Sequence, residues 1–298
     1  TLTGLVVGRL LQGSGAIASA TMALAADYTR IEQRIKASAI IGASIGVSFA
    51  LALVLGPVLA AWGGLPRVFE VTAVMGGLGL VVVLFWLPAT PQLSDAGRAH
   101  IADRDRLGEA LWGRGLGIMY ASIFCLHLLL MAAFTAIPSV MTYQVGLDPI
   151  HHAWLYLATL CGALPGVAVL VRRRDQAGDP RSLIMLTIVL TVAGLVAALW
   201  SVSLALLGVG LVLFFTGFTA LETILPALVS MFAPTSLRGT AMGIFSSAQF
   251  LGVFAGGALG GNALHFGGAW WLVGTLLALT LLWLGAVWRF GRAPAVAY

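Results

Sequence analysis

Long apolar stretches separated by short polar segments make up nearly the whole chain. At about 20 apolar residues per bilayer crossing, this pattern predicts nine transmembrane helices, at 2–26, 37–61, 68–87, 115–141, 153–171, 182–201, 204–231, 239–263 and 269–290. The one long polar interruption, 88–114, starts with two prolines and then carries charges of both signs. The pattern therefore predicts an all-α polytopic membrane protein with a boundary at 88–114.

The composition supports this fold class and excludes others. Hydrophobic residues make up 60% of the 298 residues and charged residues only 9%, against about 25% charged in an ordinary soluble domain. The formal net charge is +5, but the basic residues lie in loops rather than on one amphipathic face. We therefore expect the lipid bilayer as a partner and no nucleic acid.

The basic residues also predict an orientation. All 16 of them except Arg9 and Arg67 lie in alternate polar segments, at 27–36, 88–114, 172–181, 232–238 and 289–292. Because cytoplasmic loops carry an excess of Lys and Arg, these segments and the tail are expected in the cytoplasm. The first helix would then start outside, so we expect an odd number of helices to precede Thr1.

A weak internal repeat suggests how the helices are grouped. Shifting the sequence by 204 residues aligns Arg34 with Arg238 and Gly56 with Gly260. Parallel six-helix repeats of this length are typical of major facilitator transporters. The sequence thus predicts nine of twelve helices: 1–87 would end the N-terminal half, 88–114 join the halves, 115–290 form the C-terminal half and 291–298 the cytoplasmic tail.

Local motifs resemble one branch of that superfamily. Arg9, Gln12 and Gly13 resemble the Arg-x-x-Gln-Gly signature in the fourth helix of drug:proton antiporters. Gly42, Gly46, Gly56 and Pro57 resemble the antiporter motif of their fifth helix, which usually continues Gly-Pro-x-x-Gly-Gly, although Ala60 and Ala61 stand here in place of its last two glycines. Further stretches around His127, Glu222, Arg238 and Gln249 resemble the YajR-type subgroup. The resemblance implies a transporter in the cell (inner) membrane that exchanges protons for a substrate.

Three ionisable residues are candidates for proton coupling. Glu222 lies near the middle of an apolar helix, where a carboxyl group can load and release a proton as access alternates. His127 lies at membrane depth, titrates in the working range, and would form a relay with a partner such as Glu222. Arg9 would bias the protonation of a nearby carboxylate. The alternatives are an arginine snorkelling to the interface, a neutral glutamate that ties helices together, and a structural histidine.

Other residues are candidates for the transport path. Gln12, Phe134, Phe215, Phe218 and Thr219 are predicted to line a substrate cavity. Asp27, Arg34 and Arg238 are predicted to form cytoplasmic gating charges. The glycines of the antiporter motif, with Pro57, would allow close helix packing, as small residues do in membranes.

These patterns together predict a function. No Gly-x-Ser-Gly, His-Glu-x-x-His or Walker motif occurs, so we expect no enzyme, no cofactor and no metal. We expect a monomeric, proton-coupled efflux antiporter that exports a small amphipathic or apolar compound by alternating access. Two alternatives stay open: a metabolite or sugar transporter of the same fold, and an inactive truncated fragment.

Overall fold

Most of the described part of the chain is helical, and its helices are joined by short turns. The computed structural model describes residues 33–87, 107–174, 180–234, 237–266 and 268–290, with isolated positions between 3 and 29. Its helices are α1 (Arg34–Trp86), α2 (Leu107–Trp112), α3 (Leu116–Ser139), α4 (His152–Arg174), α5 (Pro180–Leu199), α6 (Leu204–Phe232), α7 (Arg238–Phe266) and α8 (Gly268–Phe290). Seven segments of this part are long and apolar enough to cross a membrane. The predicted all-α polytopic fold is confirmed, whereas most of the predicted helix 2–26 lies outside the described residues.

Helix α1 contains two of the predicted crossings. Its 53 residues would span about 80 Å if straight, against about 30 Å of hydrocarbon. The backbone leaves helical geometry at Gly63 and Gly64, and Gly64 has a φ of +69°, which favours glycine. This break falls where the sequence predicts the connection between helices 37–61 and 68–87.

The last residues of the predicted loop 88–114 are helical rather than irregular. Helix α2 and a 3₁₀ turn at Gly113–Gly115 lead directly into α3. The Ala110 side chain is fully buried, and its carbonyl oxygen accepts a 2.8 Å hydrogen bond from the Tyr120 hydroxyl. A six-residue helix is too short to show a hydrophobic period, so the sequence pattern did not predict it.

Glycines set the closest helix contacts in the bundle formed by α3–α8. In the α5–α6 pair, Gly194 lies against the backbone of Gly210 and Phe214. In the α3–α7 pair, Gly252 lies against the Phe124 carbonyl and Gly256 against the Leu128 carbonyl. Without side chains at these positions the backbones approach closely, as in small-residue membrane interfaces.

The direction of α3 and α7 agrees with the predicted order of crossings. Successive glycines of α7, from Gly252 through Gly256 to Gly260, contact successively later residues of α3, from Phe124 through Leu128 to Ala132. The two helices therefore run parallel. Parallel directions are what the predicted order requires, because an even number of crossings separates the starts of these two helices.

Candidate functional site

Three polar side chains from three helices meet inside the bundle. The Gln249 Nε2 atom on α7 lies 2.8 Å from Nε2 of His127 on α3. The same Gln249 nitrogen donates to Oε1 of Glu222 on α6 at 3.2 Å. The Glu222 Oε2 atom lies 3.7 Å from His127 Nε2. His127 and Glu222 thus lie close together, and the amide group of Gln249 contacts both.

The surroundings of His127 define its hydrogen bonding. The side chain is 7% exposed, and its Nδ1 atom lies 3.2 Å from the Ile123 carbonyl oxygen. That oxygen can only accept, so Nδ1 carries the proton and donates it to the hydrogen bond. The Nε2 atom then accepts from Gln249, and both ring nitrogens of neutral His127 have partners.

Glu222 is less completely paired. It is the only acidic residue after Asp179 in the sequence, and its side chain is 37% exposed. Its Oε1 atom accepts from Gln249, whereas the buried Oε2 atom has no hydrogen-bond partner among the described residues. A buried carboxyl oxygen without a donor is suited to carry a proton, because a bare charge there is poorly stabilised.

Aromatic rings connect this cluster to the rest of the bundle. Phe218 lies 5.6 Å from the His127 ring and stacks on Phe214 at 6.0 Å. Beyond them, Tyr156 lies 5.2 Å from Phe134 and 6.4 Å from Phe215. The aromatic residues predicted to line the cavity therefore lie close together, although Phe215 is itself 1% exposed.

Phe134 extends this contact to the N-terminal part of the chain. Its ring lies 6.3 Å from that of Phe49 on α1, with an edge-to-face geometry. Helix α1 packs mainly against α4, so Phe49 joins this aromatic group from the predicted other half.

Several predicted residues are not tested by this geometry. Arg9, Gln12 and Asp27 lie outside the described residues. Arg34 and Arg238, predicted to lie in polar turns, are the first residues of α1 and α7, and their side chains are not described. Thr219 is half-buried on α6, and its carbonyl oxygen accepts from Thr223.

The antiporter-motif residues lie on α1 and stay predictions. Gly42, Gly46, Gly56 and Pro57 are all helical. An added Cβ at Gly56 would meet no described atom within 4 Å, and Pro57 is exposed. At Gly56 the described residues show no close helix contact, unlike at the α7 glycines, and the surroundings of Gly42 and Gly46 are not described.

Sequence reasoning did not assign a site role to Gln249 or Tyr156. A signal for Gln249 was present, because Gln249, Gly252, Gly256 and Gly260 recur at helical spacing and share one face. The glycines of that face pack against α3, which brings Gln249 toward His127. No comparable signal marks Tyr156, whose neighbours come from distant segments.

The family follows from a comparison with known proteins. The family profile described as Major Facilitator Superfamily matches residues 1–256. The chain belongs to the major facilitator superfamily. This confirms the predicted superfamily and agrees with the helical membrane-spanning fold. The family is one of membrane-embedded transporters rather than of enzymes.

Individual relatives of the chain are also named as transporters. It is similar to the inner membrane transport protein YajR of Escherichia coli (strain K12), with 34% identity over 307 residues, 100% of this chain and 65% of the relative. It is also similar to an uncharacterized transporter of Buchnera aphidicola subsp. Acyrthosiphon pisum, with 28% identity over 86% of this chain and 66% of the relative. An uncharacterized transporter of Buchnera aphidicola subsp. Baizongia pistaciae is 29% identical over 88% of this chain and 67% of the relative.

The match to YajR includes the whole of this chain but only part of the relative. The chain spans 65% of the length of YajR. The family and the membrane-spanning fold carry over to this chain. The activity of a whole transporter is a proposal.

Proposed function

We propose that the intact protein is a proton-coupled efflux antiporter that exports a small amphipathic or apolar compound by alternating access. The observation that carries the proposal is the cluster of His127, Gln249 and Glu222, held at membrane depth by three helices. Ionisable groups inside membrane segments are rare, and they mark ion and substrate pathways. A transporter of this superfamily with such a group has the means to bind a proton between its helices.

Glu222 is the member of the cluster that would bind the transported proton. Glu222 Oε2 has no hydrogen-bond partner among the described residues, so it is the atom to which a proton from water adds. Adding the proton converts the carboxylate to a neutral carboxyl group, and losing it restores the charge. Because α3, α6 and α7 each contribute one member, movement of these helices relative to one another would change the proton affinity of the cluster.

Antiport follows if substrate and proton compete at this place. The aromatic rings next to His127 offer an apolar surface to a compound with little charge, and Glu222 offers one negative charge when it has lost its proton. Binding of the compound would favour proton release, and protonation would favour release of the compound. Such competition exchanges one for the other across the membrane.

The remaining parts of the proposal come from the sequence. Arg9 and Gln12 would face the same path from the fourth helix, and Asp27, Arg34 and Arg238 would form the cytoplasmic gate. The protein would act as a monomer in the inner membrane with its C-terminus in the cytoplasm. The name of its relative in Escherichia coli, an inner membrane transport protein, supports that location.

Driven transport by the intact protein in proteoliposomes tests the proposal. An imposed pH gradient should move ethidium or chloramphenicol uphill toward the acid side, because protons leaving that side drive the exchange. A protonophore should abolish the accumulation. Downhill movement that ignores the gradient would instead indicate a uniporter, and the antiport proposal would then fail.

Tyr156 yields a prediction about substrate binding. Its side chain is 7% exposed, and its hydroxyl has no partner among the described residues. An unpaired hydroxyl in an apolar interior costs about 1–3 kcal/mol, which a substrate acceptor would offset. We expect Tyr156→Phe to raise the half-saturating concentration of chloramphenicol, which has several acceptors, about tenfold, without loss of thermal stability.

A matched control separates this effect from general damage. Tyr143 is 85% exposed, so Tyr143→Phe should change neither stability nor transport. If Tyr156→Phe lowers the stability, or leaves the half-saturating concentration unchanged, the hydroxyl does not bind substrate.

A further inference from the structure

The amide group of Gln249 lies between the two groups proposed to bind protons. It is 2.8 Å from His127 and 3.2 Å from Glu222. An amide has a donor end and an acceptor end. The end that faces His127 and Glu222 therefore decides which of their protonation states it stabilises.

In the observed arrangement the donor end faces both partners. Gln249 Nε2 has two hydrogens, one for His127 Nε2 and one for Glu222 Oε1. This requires a lone pair on His127 Nε2, which agrees with a proton on Nδ1 facing the Ile123 carbonyl. A second proton on His127 would place two N–H groups against each other.

We propose that Gln249 is a positioning residue that makes protonation of His127 and donation to the Glu222 carboxylate mutually exclusive. With the donor end inward, His127 is held neutral and an arriving proton adds to Glu222 Oε2. His127 takes up a proton on Nε2 only after the amide turns over and its carbonyl oxygen accepts that proton in a hydrogen bond. This inference concerns proton binding, and only the further claim that these protons cross the membrane rests on the proposed function.

The turned-over amide also prefers a protonated Glu222. Its carbonyl oxygen would face a Glu222 carboxyl oxygen at about 3 Å, which is favourable only if that oxygen carries a hydrogen. A carboxyl group protonated on Oε2 would meet this condition by rotating about its Cγ–Cδ bond, which brings its O–H toward Gln249. The order of events follows: Glu222 loads first, the amide turns, and His127 loads second. One uncharged side chain would thus set the sequence in which two groups bind protons.

Few other groups compete for these protons. On the helices packed around the cluster, the other titratable side chains of the described membrane spans, apart from those at helix ends, are Tyr120 and Cys125 on α3, Tyr143 in the π-helical turn after α3, and Tyr156 and Cys161 on α4. The charged residues of these helices lie at their ends, and they are Glu109, His152, Arg172–Arg174, Arg181, Arg238, His265 and Arg289. Within the described residues, only Glu222 forms an ion-pair contact with His127.

Nitrogen NMR of the ¹⁵N-histidine-labelled intact protein tests this inference. The His127 signals are identified as those that disappear in His127→Asn. We expect the wild type to show a protonated Nδ1 and a bare Nε2. Gln249→Glu keeps the shape but places an acceptor there, so the pH at which half of His127 is charged should rise by about one unit, a tenfold increase in proton affinity.

Two further variants sharpen the test. Gln249→Met removes the donor, so a smaller shift in the same direction is expected. Asn262 is an exposed amide on the same helix that donates to Ala258, so Asn262→Asp should leave the His127 titration unchanged. Size-exclusion profiles establish that each variant is folded.

Specific results would overturn the inference. The first is an NMR signal showing that neutral His127 in the wild-type protein carries its proton on Nε2; no variant is needed for this measurement. The other is a titration of His127 that is the same in wild type, Gln249→Met and Gln249→Glu. The experiment uses neither substrate nor gradient, so failure of coupled transport would leave its outcome unaffected.

Discussion

Replacing Glu222 with glutamine should abolish pH-driven export, down to the rate of vesicles that lack the protein. The amide has nearly the shape of the carboxyl group and can still accept from Gln249 through its carbonyl oxygen. It cannot gain or lose a proton at any working pH. The fold should therefore persist while the exchange of substrate for protons stops. The measurement is uphill transport of ethidium at matched protein content.

Glu70 provides a matched control for this substitution. It lies on α1 with 59% of its side chain exposed and pairs with Arg67 at 2.7 Å. Glu70→Gln should leave uphill transport unchanged, because surface ion pairs of this kind contribute little. Uphill transport by Glu222→Gln at the wild-type rate and amount would remove Glu222 from the coupling mechanism.

Gly256→Ala should destabilise the protein strongly, whereas Gly257→Ala should not. A Cβ at Gly256 would meet the Leu128 carbonyl oxygen and lie 2.7 Å from the Leu128 Cα. These are backbone atoms, so α3 and α7 would have to separate. Overpacking of this kind costs about 1–3 kcal/mol or more.

The neighbouring residue offers a stringent comparison. An added Cβ at Gly257 would meet no described atom within 4 Å, and alanine is a better helix former than glycine by about 1 kcal/mol. Gly257→Ala should therefore be as stable as the wild type or slightly more so. The measurement is the midpoint of thermal unfolding followed by fluorescence-detected size exclusion. Equal midpoints for the two variants would show that α3 and α7 do not pack through Gly256.

The helices were predictable because each crossing needs a long apolar run, which the sequence shows without tertiary information. Details that depend on local geometry could not be predicted in this way. The pattern did not show that α3 continues beyond its predicted end at 141 through a π-helical turn, Val140–Gln144. It also missed α2, which is linked to α3 by the hydrogen bond from the Tyr120 hydroxyl to the Ala110 carbonyl oxygen.

The candidate site was predictable in part for a similar reason. Glu222 and His127 are conspicuous because ionisable groups are costly in apolar helices. Gln249 is uncharged and lies 122 residues from His127 in the sequence, so their contact depends on how α3 packs on α7. The glycine face of α7 carried that information, but only the structure shows which helix it contacts. The roles of Arg9, Gln12 and Asp27 stay predictions.

Simultaneous recording of substrate and proton movement tests the central claim most directly. Proteoliposomes of the intact protein, empty of ethidium and clamped to zero membrane potential with potassium and valinomycin, would contain a trapped pH indicator. Ethidium is permanently charged, so it carries no proton of its own. If the protein is a proton-coupled antiporter, ethidium entering from outside should make the interior more alkaline, and Glu222→Gln should lose both signals together. Protein-dependent entry of ethidium at a constant internal pH would contradict the account.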